Sequence, residues 1–284
     1  MARRQPGDGK GAESDTAAHA ASGDRNFDDL AHRFKRNVYD RLKGDIRLAV
    51  LSRDLAEHVP ELGLQAEGNA APLNILDAGG GQGQFSLGLA AQGHRVEICD
   101  ISANMLALAE EQVRERALAS RVTLIHNEIR RHCATRAATF DLVLCHAVLE
   151  WVAEPQTLLA SLIAALKPGG YLSLTFYNVN GIIMKNLLRA NFAKVLKEDY
   201  QGFRGSLTPT WPRNTDEVLD WVAAPGLSLC CHSGIRCFHD YLLDPDTRTL
   251  SPEQQLALEL KLSRQEPFRS LGRYIHLLYR KATL

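Results

Sequence analysis

Apolar positions along the chain follow two spacings, one typical of strands and one typical of helices. Short apolar runs with strand character recur through the first two thirds, and segments with helical periodicity lie between them. This alternation predicts a doubly wound α/β fold with a mostly parallel sheet. The first five predicted strands are Leu73–Asp77, Arg95–Asp100, Val122–His126, Phe140–His146 and Tyr171–Tyr177.

The flanks of this repeat have other patterns. Residues 25–66 carry apolar positions at helical spacing and predict N-terminal helices with a break near Gly44. Residues 181–220 combine an amphipathic segment, 182–196, with a loop rich in glycine and proline, which predicts an inserted lid. Strands at 227–238 and 273–279 are expected to pair, with the last strand antiparallel. The result is a predicted seven-stranded, Rossmann-like sheet.

Composition sets limits on the class of protein. Hydrophobic residues make up 45% of the chain, enough for a large core, and 33 basic residues balance 33 acidic ones. No apolar run has membrane-spanning length. Residues 1–24 are rich in Ala, Gly and Ser and predict a disordered tail before one domain, 25–284. Six scattered cysteines, without a C-x-x-C pair, favour buried thiols in a reducing cytoplasm and no metal.

The candidate chemistry centres on a glycine-rich turn after the first strand. Asp77 is followed by Ala78 and the run Gly79-Gly80-Gly81, with Gly83 two residues on. Such a turn lets a ligand approach the backbone closely. A dinucleotide fingerprint would need a further glycine where Gln84 stands, so this D-A-G-G-G-x-G run resembles instead the first motif of class I S-adenosylmethionine-dependent methyltransferases.

Three other residues extend this site. Asp100 ends the next strand about 20 residues later, where an acid binds ribose hydroxyls, and Ser102 can cap the following helix in its place. His146 ends a central apolar strand, at the edge where open α/β sheets bind ligands. Arg47, before the first strand, is a candidate partner for the methionine carboxylate of the cofactor; a solvated arginine is the alternative.

Blocks outside the glycine turn resemble one family. They are residues 25–29, 146–152, 234–242, 264–268 and 271–276. Together they are similar to the tRNA 5-carboxymethoxyuridine methyltransferase family, over about residues 25 to 281. The resemblance implies a class I methyltransferase fold and S-adenosylmethionine as cofactor. The implied cofactor contacts are Arg47, Asp77, Gly79, Gly80, Gly81, Asp100, Ile101, Ile129 and His146.

The resemblance also implies a substrate, the carboxymethoxy group of a wobble uridine in a tRNA anticodon stem-loop, which becomes a methyl ester. A carboxylate is ionised at neutral pH, so this transfer requires alignment and no general base. Basic residues interleaved with aromatic ones in the insertion suit contact with RNA. The candidates for holding the substrate carboxylate are Arg236, Arg264, Arg273, Tyr177 and Tyr241.

Two alternatives stay open on the sequence. One is a small-molecule carboxyl or amine methyltransferase with the same cofactor core. The other is an RNA module that binds S-adenosylmethionine without turnover, because cofactor binding does not by itself establish methyl transfer. The sequence does not determine the oligomeric state.

Overall fold

The computed structural model describes residues 41–66, 71–200, 208–223, 226–243 and 251–283. Within these ranges seven strands form one sheet: β1 Asn74–Ala78, β2 Arg95–Asp100, β3 Val122–His126, β4 Phe140–His146, β5 Leu166–Tyr177, β6 Leu227–Ile235 and β7 Tyr274–Lys281. The described helices are α1 Arg41–His58, α2 Pro60–Ala66, α3 Ser86–Ala91, α4 Ala103–Glu115, α5 Ile129–Ala134, α6 Pro155–Ala165, α7 Val179–Leu188, α8 Phe192–Leu196, α9 Thr215–Val222 and α10 Pro252–Leu262.

The strand order confirms the predicted fold. It is β3-β2-β1-β4-β5-β7-β6, with β1 to β5 parallel. The last strand, β7, runs antiparallel to both of its neighbours, β5 and β6. The carboxyl ends of β1, β2 and β4 therefore meet at one edge of the sheet, where ligands bind in open α/β folds.

The sheet is buried on both faces because successive residues of its central strands alternate between two apolar clusters. Val143 and Cys145 of β4 pack with α5, α6 and α9 on one face. Leu142 and Leu144 of the same strand pack with α1, α3 and α4 on the other. A strand buried on both sides reads as a continuous apolar run, which is why the sequence predicted β4 with the observed bounds.

Two details of the prediction were wrong. No break occurs at Gly44, since α1 continues through it from Arg41 to His58; burial of Ile46 and Val50 compensates for the helix penalty of about 1 kcal/mol for one glycine. The turn expected at 167–170 is a bulge inside β5, because Phe140 pairs with Leu166 while Leu142 pairs already with Tyr171.

The insertion is helical where the structure describes it. The amphipathic segment predicted at 182–196 forms two helices, α7 and α8, and α7 ends before Ala190, whose φ is 55°. The predicted tail, the helix expected from residue 25 and part of the lid loop, residues 201–207, lie outside the described residues. No helix in the described ranges has the length and apolar character needed to cross a membrane.

Candidate active site

A cavity of about 570 Å³ lies at the carboxyl ends of β1, β2 and β4. The glycine turn after β1 forms its floor, α1 covers one side, and residues at the ends of β5, β6 and β7 form the opposite wall. A second, narrower cavity of about 100 Å³ shares Gly79 and Asp100 with it. The two form one elongated site at the edge of the sheet that the sequence indicated.

The glycine turn leaves backbone, with no side chain, facing the site. Gly79 has a φ of 71°, and a Cβ atom placed on it would lie 2.5 Å from Cγ2 of Val148. A Cβ on Gly80 would lie 2.4 Å from Cγ of Asp77. Neither position accepts a larger residue without a shift of its neighbour, so the packing of this turn requires glycine at both.

The Asp100 carboxylate is fixed at the junction of the two cavities. One oxygen accepts from the backbone N–H of Gly81 at 2.8 Å and the other from that of Ser102 at 2.8 Å. Ser102 itself caps α4 by accepting from the N–H of Met105, as predicted. Each carboxylate oxygen has a further lone pair, so Asp100 can still accept from a pair of vicinal hydroxyls.

The narrow cavity has mainly apolar walls. Ile101 and Ile129, which lie 28 positions apart, face it together with Val148 and Leu158. Ile129 opens α5, whose first N–H groups donate to the side chain of Glu128. A slot of this size with aliphatic walls suits a flat heteroaromatic ring.

Three polar side chains lie at the other end of the glycine turn. Arg47 donates to Oε1 of Gln84, and burial lowers its pKa. Asp77 is buried, which raises its pKa to about 6, although Ser86 donates to its Oδ2 at 2.5 Å. Within the described residues Arg47 forms no ion pair with a carboxylate, so a ligand carboxylate is a suitable partner for it.

His146 lines the cavity beside this group. Its Nε2 lies 2.8 Å from Oγ of Ser173, and its ring packs edge to face with Phe85 at 5.7 Å between centroids. Burial, as the largest cause, lowers the pKa of His146 well below its usual value. The ring is therefore neutral at physiological pH.

A basic wall faces the glycine turn across the cavity. We use this name for Lys185, Arg236 and Arg273, which line the site around the carboxylate of Asp240. Arg236 pairs with Asp240 at 3.1 Å and Arg273 at 2.9 Å, and Arg273 also donates to the Tyr177 hydroxyl at 2.9 Å. Burial, Arg273 and Arg189 lower the pKa of Lys185 to about 8.

A buried acid fixes the loop that carries Arg236. Both oxygens of Glu259 on α10 accept backbone N–H groups: Cys237 at 2.7 Å, Phe238 at 3.2 Å and His239 at 2.9 Å. Arg236 itself has a φ of 59°, an unusual conformation for a residue with a side chain. Glu259 therefore determines where Arg236 and Asp240 lie.

The structure does not bring two of the candidate substrate residues to the cavity. Arg264 pairs with Asp54 at 2.6 Å and with Glu57 at 2.6 Å, outside the cavity. The hydroxyl of Tyr241 donates to the carbonyl of Leu271 at 2.6 Å, and this residue does not line the cavity either. Both side chains have structural partners, so we do not include them among the residues proposed to hold the substrate carboxylate.

The lining residues that sequence reasoning missed include Lys185, Asp240 and Glu150. Glu150 is buried, and burial raises its pKa to about 7. In the described part of the chain its Oε2 has no hydrogen-bond partner. Its position inside the family-like block 146–152 was a usable signal. Lys185 lies in the insertion and Asp240 in a short polar run, and the local sequence around neither residue indicates a pocket.

The site thus combines an apolar slot, an acceptor for a diol, an amino-acid-sized polar end and a basic wall. This order fits a nucleoside that carries an amino-acid chain, with an anionic second ligand opposite. Among the described residues no group of three or more His, Cys, Asp or Glu side chains is arranged to hold a metal ion.

Comparisons with known proteins agree with this arrangement. Residues 76–174 match a family model described as a methyltransferase domain. The tRNA 5-carboxymethoxyuridine methyltransferase of Escherichia coli (strain K12) is 40% identical over 258 residues, 91% of this chain and 97% of that protein. A ubiquinone biosynthesis O-methyltransferase of Vibrio parahaemolyticus is 32% identical over 106 residues, 37% of this chain and 44% of that protein.

A solved structure gives the same fold. The magnesium protoporphyrin IX methyltransferase of Synechocystis PCC 6803, determined with bound SAH, superposes with a TM-score of 0.54 at 18% identity, covering 90% of this chain and 96% of that one. The match to the Escherichia coli relative covers 91% of this chain and so extends far beyond residues 76–174, which the family model covers. The chain therefore belongs to the tRNA 5-carboxymethoxyuridine methyltransferase family of class I S-adenosylmethionine-dependent methyltransferases.

Proposed function

We propose that this enzyme transfers a methyl group from S-adenosylmethionine to the carboxylate of 5-carboxymethoxyuridine at the tRNA wobble position, giving the methyl ester. The basic wall is the observation that carries the proposal. Three cationic side chains, Lys185, Arg236 and Arg273, surround one carboxylate, Asp240, whose pKa they lower despite its burial. The wall keeps an excess of positive charge, which favours an anionic substrate.

The residues of the elongated site match the parts of the cofactor. The slot beside Ile101 and Ile129 suits the adenine, and Asp100 suits the ribose hydroxyls. Arg47 suits the methionine carboxylate, and Asp77 its ammonium group, whose arrival would favour the ionised acid. When bound, S-adenosylmethionine supplies a methyl group already activated by a sulfonium.

The chain then has to bind and align the acceptor. A substrate carboxylate is ionised at neutral pH, so no side chain has to remove a proton. Arg236 and Lys185, which line the cavity, are the proposed holders of one carboxylate oxygen, and the other oxygen is then free to attack. Arg273, 3% exposed and bonded to Asp240 and Tyr177, fixes these two side chains. The grip has to be partial, because a fully neutralised carboxylate is a weaker nucleophile.

The insertion is the proposed surface for the anticodon stem-loop. Helices α7 and α8, with the residue that follows each, carry four cations, of which Lys185 lines the cavity: Lys185, Arg189, Lys194 and Lys197. Phe192 is 56% exposed there. Cations beside an exposed aromatic ring suit phosphates and a splayed, stacked base. Because tRNA is the proposed partner, the proposed place of action is the cytoplasm.

The test is methyl transfer to matched RNA substrates. Purified enzyme, labelled S-adenosylmethionine and an anticodon stem-loop bearing 5-carboxymethoxyuridine should yield the methyl ester by nucleoside mass spectrometry. The same stem-loop with 5-methoxyuridine, which lacks the carboxylate, should stay unlabelled. Equal labelling of a free small carboxylic acid would favour the small-molecule alternative, and cofactor binding without any transfer would favour the non-catalytic module.

A further inference from the structure

We infer that three residues behind the cavity, Asp54, His276 and Ser173, are positioning residues that hold His146 in one tautomer. They keep its proton on Nε2 and present the lone pair of Nδ1 to the ammonium group of the cofactor's methionine. The inference rests on the cofactor placement proposed above and extends it to residues on α1, β5 and β7.

The geometric basis is an unbroken chain of hydrogen bonds through the sheet. Nε2 of His146 lies 2.8 Å from Oγ of Ser173, which lies 2.9 Å from Nε2 of His276. Nδ1 of His276 lies 2.7 Å from Oδ2 of Asp54. Ser173, His276 and Asp54 are all fully buried. Because Nε2 of His146 takes part in this series of hydrogen bonds, Nδ1 is the ring nitrogen that can contact a ligand.

The ionisation state of Asp54 fixes which atom donates in each of these hydrogen bonds. Burial alone would raise its pKa, but hydrogen bonds from His276, Ser233 and Arg53 lower it well below the usual value. An ionised carboxylate accepts and cannot donate, so Nδ1 of His276 carries a proton. Two arrangements remain, a neutral His276 that accepts from Ser173 and a cationic His276 that donates to it.

Charge decides between them. Asp54 already pairs with Arg53 at 2.7 Å and with Arg264 at 2.6 Å, so a cationic His276, 2.7 Å from Oδ2, would place a third cation on one fully buried carboxylate, which is unfavourable. With His276 neutral, Ser173 donates to it and accepts from His146. His146 then carries its proton on Nε2, which leaves Nδ1 as an acceptor.

The opposite tautomer would place an N–H group at the polar end of the site. This end already contains the Arg47 guanidinium and would receive an ammonium group, so a third donor would be unfavourable there. An ammonium group has three donors and can be shared between Asp77 and Nδ1 of His146. Arg264, absent from the cavity, gains a role here as a counter-ion of Asp54.

The experiment combines tautomer and binding measurements. Long-range ¹H–¹⁵N spectra of histidine-labelled wild-type protein read which nitrogen of His146 is protonated. Calorimetry with S-adenosylhomocysteine, which has the amino-acid chain, and 5′-methylthioadenosine, which lacks it, is done on wild type and on Ser173→Ala. Tyr279→Phe is the matched control, because it removes a buried hydroxyl from β7 that has no hydrogen-bond partner among the described residues, and it leaves the bonds among His146, Ser173, His276 and Asp54 intact.

We expect the proton of His146 on Nε2 in wild type and a loss of this preference in Ser173→Ala. That variant should bind S-adenosylhomocysteine roughly fivefold more weakly and 5′-methylthioadenosine within about twofold of wild type. Tyr279→Phe should bind both as wild type does. A proton on Nδ1 in wild type, equal weakening of both ligands, unchanged binding in Ser173→Ala, or the same loss in Tyr279→Phe would each overturn the inference.

The readouts are independent of the methyl acceptor. A wild-type protein that bound neither nucleoside would refute the proposed function, and the tautomer of His146 in the free protein would still decide the inference. If Ser173→Ala did not fold, the wild-type spectra would decide it in the same way.

Discussion

Replacement of Arg236 by methionine tests the basic wall most directly. Its guanidinium lies 3.1 Å from Asp240 and 5.4 Å from the centre of the Tyr274 ring, and its Nε is buried without a partner among the described residues. Asp240 keeps its 2.9 Å bond to Arg273 in the variant. The fold should therefore tolerate the change, whereas the substrate carboxylate would lose a charged donor.

A hydrogen bond to a charged group contributes about 1.5–3 kcal/mol. At about 1.4 kcal/mol per tenfold, Arg236→Met should lower kcat/KM by about 10- to 150-fold on a 5-carboxymethoxyuridine stem-loop. Binding of S-adenosylhomocysteine, measured by calorimetry, should stay within about twofold. Arg280→Met is the matched control, because Arg280 lies over the Tyr171 ring away from the cavity. An unchanged kcat/KM in Arg236→Met, or an equal loss in Arg280→Met, would refute the assignment.

Three more predictions concern the turn, the wall and the loop support. Gly79→Ala places a Cβ 2.5 Å from Val148 in a left-handed conformation that costs about 1–2 kcal/mol, so calorimetry should show S-adenosylhomocysteine binding weakened at least about tenfold; normal affinity would contradict the fit of this turn. The pKa of Lys185 is lowered to about 8, so its charge is present below that pH and lost above it. KM for the anionic stem-loop should therefore rise above pH 8 in the wild-type enzyme, and this rise should be absent in Lys185→Met. The same rise in both proteins would show that a group other than Lys185 causes it. Glu259→Leu leaves three backbone N–H groups unpaired and should lower the free energy of unfolding in urea by about 3 kcal/mol or more, which an unchanged midpoint would contradict.

Local patterns explain how much of the fold the sequence indicated. The bounds of β2, β3 and β4 match the prediction residue for residue, because alternation and apolar runs are properties of adjacent positions. The bulge in β5 was missed because it depends on pairing with another strand and not on adjacent positions. Lys167-Pro168-Gly169-Gly170 has turn composition, and only the pairing with β4 retains it within a strand.

The candidate site likewise contains residues that local patterns predict and residues that only the packing brings together. The glycine turn, Asp100 and His146 could be found because strand ends in a parallel sheet meet at one edge, so their position follows from the element to which they belong. Lys185 and Asp240 could not be found, since an inserted helix and a short loop have no fixed place relative to the sheet until the chain packs.

The sequence by itself therefore determined the parallel strands of the sheet, the cofactor turn and the family. The tertiary structure decided which charges meet. Arg264 looked like a substrate-binding residue, but it lies 210 positions from Asp54 in sequence and 2.6 Å from it in space. The physical reason is that an ion pair depends on distance between side chains, which the packing of α1 against β6 and β7 sets and no local pattern encodes.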